Sequence, residues 1–470
     1  MKNLFGHITK AYFLGIGGIG MSALARYFHH KGVEVAGYDK TSTPLTDELI
    51  HEGISVSFID DPSNLPDWLN ANQVPSDVLV VYTPAIPVDH KEFNHIKSMG
   101  LRLWKRSEVL GEVTRGVRTI AVAGTHGKTT TSTMISHLLK HAGWNVTAFL
   151  GGIATNYGTN LLVAREPENE IMVAEADEYD RSFLKLNPDT SVITSLDPDH
   201  LDIYGSKQNM VDCYTEFASR LKPGGTLFAK AGIENQSAII PSQTYSADSS
   251  GQIHANNLRI VNGAYVFDVI APDFEITDLV LYCPGRHNVE NAVAAAVVCY
   301  YEGLTKDEIR QGLAAFKGVH RRFEYRLRSE NKIVIDDYAH HPTELAAAIG
   351  TVRELYPGKR ILGVFQPHLY SRTRDFADGF ADSLSKLDEL IMLEIYPARE
   401  LPIPGVTSSV ILDKCTAGNK QLVSKSQLAL AVAESSAELV IVLGAGDIDV
   451  LVHEIVEAIQ SQEKKGALNP

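Results

Sequence analysis

The chain has 470 residues, a formal net charge of -14, 44% hydrophobic residues and 21% charged residues. This length exceeds what one hydrophobic core covers and predicts about three domains, and the composition excludes a disordered chain. The excess of acidic residues argues against sequence-independent binding of nucleic acid, because such binding needs many Lys and Arg side chains to neutralise phosphates. The four cysteines are scattered and form no C-x-x-C pair, so we expect a reduced, cytoplasmic protein without membrane insertion or a zinc site.

Residues 1–112 are predicted to form an α/β unit. Residues 11–14 are apolar, a glycine turn follows at 15–20, and 33–38 have the pattern of the next strand. The turn satisfies G-x-G-x-x-G, and Asp39 ends the second strand, where a dinucleotide fold places its ribose-binding acid. The loop indicates a pyrophosphate ligand, and both NAD and a UDP-linked substrate fit that description.

A second unit, over residues 113–319, is predicted to begin with a strand at 118–124. The loop GTHGKT ends this strand and opens a helix, where backbone N–H groups can cradle phosphate oxygens. Lys128 would then lie on the β- and γ-phosphates of ATP and the Thr129 hydroxyl on Mg2+. A full ATP-loop pattern has glycine at position 122, which is Val122 here, so the match is to a shortened loop.

Two later apolar runs end in the acidic clusters EADEYD and DPDHLD. The carboxyl ends of parallel strands share one edge, so both clusters could face the same crevice as the loop. Mg2+ prefers oxygen ligands, which makes Glu175 the better candidate ligand and His200 the weaker one. A histidine among aspartates is also explained by a salt-bridged surface turn, and Glu178 with its acidic neighbours by a solvated corner.

The third unit, residues 320–470, alternates strands with helices and is predicted to contain a mainly parallel sheet. Arg372 and Arg374 lie near a helix start, where cations oppose the helix dipole, which favours an anionic ligand there. The adjacent His340 and His341 precede Pro342 at the exit of a strand. They fit either a reactive site or a helix entry without chemistry.

The segments GIGGIGMS, GTHGKTTT, EADEYD, DPDHLD, GRHNVENA, HRRFE, DDYAHHPTE and QPHLYSRT follow one another in an order that resembles the Mur ligases. The resemblance covers nearly the whole chain and is strongest to the branch that adds L-alanine. It implies an N-terminal Rossmann-like domain for a UDP-sugar, a central P-loop ATPase α/β domain, and a C-terminal Rossmann-like α/β domain. It also implies that the first loop holds UDP-N-acetylmuramate, the second holds ATP, and an acyl phosphate reacts with L-alanine.

The resemblance also implies the site residues. ATP would be bound by Gly124, Thr125, His126, Gly127, Lys128, Thr129, Thr130, Asn291 and Arg322. Metal ions would be held by Thr129, Glu175 and His200. The UDP-sugar would contact Gly17, Gly18, Asp39 and Thr83, with Asn156 and Tyr157 near its muramoyl part. The reacting groups and the alanine carboxylate would meet His341, His368 and Arg372.

Three departures from the family pattern bear on function. The segment VDCYTEF lacks the lysine that is carbamylated in many Mur ligases, as in the alanine-adding branch, so we predict no modified lysine. Tyr179 stands where serine is frequent in that branch, and tyrosine also occurs in the related ligase that recycles murein tripeptide. Leu369 stands where arginine is common, which removes one cation from the amino-acid site.

The sequence is also compatible with three alternatives: the tripeptide ligase, an NAD-dependent oxidoreductase, and an ATP-gated binding protein without catalysis. The segments DHLDIYG and DDYAHHPTE favour the alanine enzyme over the tripeptide ligase. An oxidoreductase would leave the second nucleotide loop without a role. We expect small-molecule substrates, no nucleic-acid partner, and a monomer or weak homodimer.

Overall fold

The computed structural model describes residues 4–70, 76–166, 168–199, 201–261, 263–329, 331–398 and 400–467. The chain divides into two compact units. The first contains Met1–Leu258, Phe267–Val280 and Glu290–Lys317, and the second contains Arg259–Val266, Leu281–Val289 and Gly318–Pro470. Three sheets with flanking helices confirm the α/β fold class.

The N-terminal sheet belongs to the first unit and is entirely parallel, in the order β3-β2-β1-β4-β5. Its strands are β1 (Lys10–Leu14), β2 (Glu34–Tyr38), β3 (Ser55–Ser57), β4 (Val78–Tyr82) and β5 (Leu103–Lys105). Its helices are α1 (Ile19–His30), α2 (Pro44–His51), α3 (Lys91–Ser98) and α4 (Arg106–Val113). Thr43 caps α2 through a capping box and Pro44 opens it, which fixes where this helix starts.

The central sheet has ten strands in the order β15-β14-β13-β12-β11-β10-β6-β9-β7-β8. Its strands are β6 (Arg118–Ala123), β7 (Val146–Ala154), β8 (Thr159–Leu162), β9 (Ile171–Glu175), β10 (Thr190–Ile193), β11 (Thr226–Lys230), β12 (Gln243–Ser246), β13 (Ile253–Val261), β14 (Ala264–Ile270) and β15 (Glu275–Leu281). Its helices are α5 (Lys128–His141), α6 (Leu201–Tyr204), α7 (Lys207–Ser219), α8 (Arg286–Glu302) and α9 (Lys306–Ala315). Strands β12, β11, β10, β6, β9 and β7 run parallel, and β8 pairs antiparallel with β7.

The C-terminal sheet lies in the second unit, in the order β16-β17-β21-β18-β19-β20, and only β16 is antiparallel to its neighbour. Its strands are β16 (Glu324–Arg328), β17 (Ile333–Asp337), β18 (Ile361–Phe365), β19 (Glu389–Met392), β20 (Asn419–Leu422) and β21 (Leu439–Leu443). Its helices are α10 (Pro342–Leu355), α11 (Tyr370–Leu384), α12 (Ser409–Leu412), α13 (Lys425–Glu434) and α14 (Ile448–Ala467). Separate hydrophobic clusters contain α10 with α11 and α13 with α14.

Within the first unit, one hydrophobic cluster runs from the N-terminal sheet into the central sheet. Phe28 on α1 and Phe183 beyond β9 both belong to it, and the rings of Tyr27 and Phe149 lie 5.4 Å apart. The N-terminal and central sheets therefore share a core. Over the described ranges, every helix is too short or too polar to cross a membrane.

Candidate active site

The first predicted loop lies at the carboxyl edge of the N-terminal sheet. Leu14 pairs in register with Tyr38 and with Tyr82, so the residues that follow these three strands converge. The Gly17 N–H donates to Asp39 Oδ2 over 2.7 Å. A Cβ atom on Gly17 would lie 2.9 Å from that oxygen, a distance that real Cβ contacts do not show. Glycine is thus needed for Asp39 to approach the loop.

Two further residues of the predicted UDP site meet at this edge. Gly15 has a φ of +84°, and a Cβ atom there would lie 2.5 Å from Thr83 Cγ2. Gly18, which has no side chain, is the N-cap of α1. The start of this helix therefore carries backbone N–H groups without a capping side chain, and helix starts of this kind favour anions. The structure brings Gly17, Gly18, Asp39 and Thr83 together.

The second loop connects β6 to α5 and is fastened to the end of β10. Thr125 N–H donates to Ser195 O over 3.2 Å, and their hydroxyls lie 2.8 Å apart. Thr194 Oγ1 donates to His126 O, and His126 Nε2 lies 3.5 Å from Asp197 Oδ2. These bonds hold the loop open in one shape, as a phosphate cradle requires.

Glycine is required twice in this second loop. Gly127 has a φ of +83° and is the N-cap of α5, and a Cβ atom there would lie 2.7 Å from Asn291 Oδ1. Gly124 has a φ of +133°, and its Cβ atom would lie 2.1 Å from Thr194 Oγ1. Asn291 also accepts from Thr131 Oγ1 over 3.1 Å, so this predicted ATP-binding residue lies beside the loop.

Lys128 points back into its own loop and to a buried acid. Its Nζ donates to Gly124 O over 2.6 Å and lies 2.8 Å from Glu178 Oε2. The side chain of Glu178 is 2% exposed, so Glu178 is not part of a solvated acidic corner. Burial alone would lower the pKa of Lys128, but the carboxylates of Glu178 and Glu175 outweigh burial and raise it. The lysine therefore carries its charge at the loop.

Glu175 ends β9 beside the same loop, in register with Val122. Its Oε2 accepts from the Gly151 N–H over 3.0 Å, and a Cβ atom on Gly151 would lie 2.1 Å from that oxygen. Gly151 and Glu178 are not among the site residues predicted from the sequence. The GG pair of GGIATN was the only available signal for the first, and Glu178 had none that separates it from its acidic neighbours.

The predicted metal site is only partly described. Thr129 and Thr130 lie in the first turn of α5 and are each 8% exposed, and Glu175 lies nearby at the end of β9. His200 lies outside the described residues. Among the residues that are described, no three His, Cys, Asp or Glu side chains converge as metal ligands. The oxygen donors of Thr129 and Glu175 suit Mg2+. The assignment of Thr129, Glu175 and His200 as metal ligands stays a prediction.

Asn156 and Tyr157 form hydrogen bonds inside the first unit. Asn156 Nδ2 donates to Ala315 O and its Oδ1 accepts from Lys317 N–H, both over 2.8 Å. Tyr157 Oη lies 2.9 Å from His137 Nδ1, whose Nε2 lies 3.0 Å from the Gly312 carbonyl. A carbonyl only accepts, so Nε2 carries the proton and Tyr157 donates to Nδ1. Burial lowers the pKa of His137 to about 4, which keeps the ring neutral.

In the second unit, the predicted reacting groups follow β17 and β18. His341 is the N-cap of α10, where its Nδ1 accepts from Thr343 N–H over 3.3 Å. Arg372 donates from Nη1 to His368 Nδ1 over 3.3 Å, and the rings of His368 and Tyr396 stack at 5.7 Å. His341 thus caps a helix, which is one of the two roles that its sequence context allows.

A buried acid joins two of the C-terminal motif segments. Asp337 accepts from Phe323 N–H over 2.7 Å and from Ala339 N–H over 2.8 Å, so HRRFE and DDYAHHPTE are tied together. Burial raises the pKa of Asp337 to about 6, although Arg322 opposes this shift. The Arg322 guanidinium carbon lies 5.1 Å from the Tyr338 ring and its Nη1 lies 3.8 Å from Glu344 Oε1.

Two glycine-shaped loops at the carboxyl ends of parallel strands, one of them with a lysine held by a buried carboxylate, define a nucleotide-dependent enzyme. Three family models match successive parts of the chain: the Mur ligase family catalytic domain over 10–118, the Mur ligase middle domain over 122–299, and the Mur ligase glutamate ligase domain over 321–462. The chain belongs to the Mur ligase family.

Individual relatives are similar over nearly their whole length. A UDP-N-acetylmuramate--L-alanine ligase of Porphyromonas gingivalis is 50% identical over 97% of this chain and 100% of its own. The crystal structure of a UDP-N-acetylmuramate-alanine ligase from Thermotoga maritima matches with a TM-score of 0.82 at 28% identity, over 96% of this chain and 99% of the other. A murein peptide ligase from Psychrobacter arcticus matches with a TM-score of 0.70 at 22% identity, over 96% and 98%, and so shows the shared fold alone.

Proposed function

We propose that this chain joins L-alanine to the lactyl carboxylate of UDP-N-acetylmuramate with conversion of ATP to ADP and phosphate, in peptidoglycan precursor synthesis. The observation that carries the proposal is the pair of glycine-shaped loops in one unit, the first cradle at residues 15–20 and the second cradle at 124–129. Lys128 belongs to the second cradle, and Glu175 lies beside it. The identity of 50% to an enzyme named for this reaction supports the choice of substrates.

The chemistry begins with a carboxylate, which is a poor acyl donor. Transfer of the ATP γ-phosphoryl group to the lactyl carboxylate gives an acyl phosphate and ADP. The amine of L-alanine, having lost its proton, then attacks the acyl carbon. The tetrahedral intermediate expels phosphate and leaves an amide. Both steps depend on positioning and on neutralising negative charge more than on covalent catalysis by the protein.

Lys128 carries the charge that the first step needs. Its ammonium is fixed by the Gly124 carbonyl and Glu178, and the γ-phosphate would replace part of this coordination. Thr129, Glu175 and His200 would hold Mg2+, which supplies charge neutralisation on the phosphates when bound. Asn291 beside the loop and Arg322 in the second unit are proposed to contact ATP.

The remaining predicted site residues are assigned to the two substrates, the UDP-sugar and L-alanine. Gly17, Gly18, Asp39 and Thr83 are proposed to bind UDP at the first cradle. Asn156 and Tyr157 are proposed to border the muramoyl part from a turn that internal hydrogen bonds hold in place. The alanine carboxylate and amine are proposed to meet His341, His368 and Arg372. We further propose a cytoplasmic enzyme, a monomer or weak homodimer, without a nucleic-acid partner.

Mass spectrometry of the product tests this proposal. The chain would be incubated with ATP, Mg2+, UDP-N-acetylmuramate and a mixture of amino acids. We expect one product, the L-alanine amide, with one phosphate released per amide. Turnover only with murein tripeptide would replace the substrate by that of the tripeptide ligase. NADH binding at the first cradle without competition from UDP would favour an oxidoreductase, and ATP binding without any amide would favour a sensor.

A further inference from the structure

Arg26 on α1 is a buried cation with a full set of partners in the first unit. It is 4% exposed, and its Nη2 lies 2.7 Å from Glu52 Oε1 and 2.9 Å from Glu48 Oε2. Its Nη1 donates to Asn160 Oδ1 over 2.6 Å. A charge removed from water must be paired and hydrogen-bonded. Arg26 thereby joins α1 and α2 of the N-terminal sheet to β8 of the central sheet.

Asn160 on β8 is 0% exposed and forms hydrogen bonds to the start of α1. Its Nδ2 donates to Ile19 O over 2.6 Å and to Ser22 Oγ over 2.9 Å. Both donors and the oxygen of its amide are therefore used. Ile19 is the first residue of α1, directly after the glycine loop of the first cradle. A residue of the central sheet thus fixes the backbone that shapes this cradle.

The strand that pairs with β8 reaches the second cradle. Ala154 on β7 pairs with Thr159, the residue before Asn160. Three residues earlier on β7, Gly151 donates its N–H to Glu175. The β7–β8 hairpin therefore touches the first cradle through Asn160 and the phosphoryl-transfer centre through Gly151. It is a short covalent and hydrogen-bonded connection between the two sites.

We propose that Asn160 is a positioning residue, which acts through α1 and the β7–β8 hairpin to hold the UDP-sugar cradle at the reactive distance from the ATP centre. This inference rests on the proposed function. Reacting atoms must lie about 3–3.5 Å apart, and a misplacement of about 1 Å costs on the order of 100-fold in rate. Loss of Asn160 therefore slows phosphoryl transfer, whereas each cradle keeps its own ligand contacts.

Two variants of Asn160 separate its donors from its volume. Asn160→Asp keeps the side-chain shape and the oxygen that accepts from Arg26, and removes both donated hydrogen bonds. Asn160→Ala removes all three. The matched control is Asn145→Ala, which deletes an amide that accepts from Arg165 N–H over 2.8 Å and donates to Glu168 O over 3.0 Å, just before the other end of β7. Steady-state rates with UDP-N-acetylmuramate and L-alanine would be compared with ATP-analogue affinity from calorimetry.

We expect kcat to fall by about 10- to 100-fold in both Asn160 variants, with ATP-analogue affinity within about 2-fold of the wild type. Single-turnover ADP formation without L-alanine should slow by the same factor, because the first step is the one affected. Asn145→Ala should leave kcat within about 2-fold. If Asn160→Ala does not fold, Ser22→Ala deletes one acceptor and should still lower kcat by about 3-fold.

An unchanged kcat per folded molecule in Asn160→Asp, or a loss of ATP affinity as large as the loss in kcat, would overturn the inference. The first result would show a purely structural amide, and the second a general disturbance of the unit. A wild-type chain that forms no alanine product under the same conditions would instead overturn the proposed function. The two failures are therefore distinguishable.

Discussion

Lys128 Nζ lies 2.8 Å from Glu178 Oε2, and the two side chains are 13% and 2% exposed. The pair places a cation and an anion, largely removed from water, inside the loop that is proposed to bind ATP. A carboxylate is chemically close to a phosphate oxygen as a partner for an ammonium. Glu178 therefore occupies, on the lysine, the place that a phosphate oxygen of ATP is proposed to take.

Lys128→Ala should remove most turnover and leave the affinity of the first cradle for UDP-N-acetylmuramate within about 2-fold. The reason is that, among the described residues, the hydrogen bonds of Lys128 go to its own loop and to Glu178. Steady-state kinetics and calorimetry measure the two quantities. Lys222→Ala is the control, since it deletes a more exposed lysine paired with Asp189 at 2.8 Å. A matched loss of rate and UDP-sugar affinity would contradict separate sites.

Glu178→Gln should destabilise the chain by about 3 kcal/mol without nucleotide, because one partner of a buried pair is removed. An ATP analogue should recover more stability in this variant than in the wild type, because its phosphates supply the missing negative charge. Urea unfolding with and without the analogue measures the difference. Equal stabilisation of both proteins would show that Lys128 does not exchange Glu178 for phosphate.

Gly151→Ala should displace the Glu175 carboxylate, since the new Cβ atom would lie 2.1 Å from Oε2. We expect a fall in kcat of at least about 10-fold and a higher Mg2+ requirement, both read from a titration of activity with Mg2+. Gly350→Ala is the matched control, because in the described part of the chain no heavy atom beyond the backbone of its own helix turn lies within 4 Å of its Cβ position on α10. If Gly151→Ala has the same Mg2+ dependence as the wild type, Glu175 is not a ligand of the metal.

The second unit should lose stability as the pH rises towards neutrality. Burial raises the pKa of Asp336 to about 7, with Arg321 opposing the shift, whereas an unfolded aspartate titrates near 4. The folded chain thus keeps a proton that the unfolded chain releases, and this contribution disappears as the pH passes about 7.

Asp336→Asn should flatten this dependence by roughly 1–3 kcal/mol between about pH 4 and 8. Chemical unfolding across this range measures it, and Asp413→Asn, at an exposed position, is the control. A variant with the same pH profile as the wild type would show that Asp336 is ionised in the folded chain throughout.

Local pattern was sufficient for both loops. The strand–glycine–helix order around 15–20 and 124–129 predicted where each cradle lies, and the structure has those strands and helices in that order. The same local evidence could not tell NAD from UDP, because a glycine turn recognises only a pyrophosphate. It also could not show which of the acids after β9 is buried, because the burial of Glu178 depends on its ion pair with Lys128, which lies fifty residues earlier in the chain.

What the sequence by itself determined is the alternation of strands and helices, the glycines that shape each loop, and the family to which the chain belongs, because these depend on residues close together in the chain. Only the tertiary structure decided that Glu178 is buried against Lys128, that Gly151 holds Glu175, and that Asn160 fixes the start of α1. Those relationships join residues far apart in sequence. The first two form only once the strands of the central sheet are aligned, and the third only once the N-terminal and central sheets share one core.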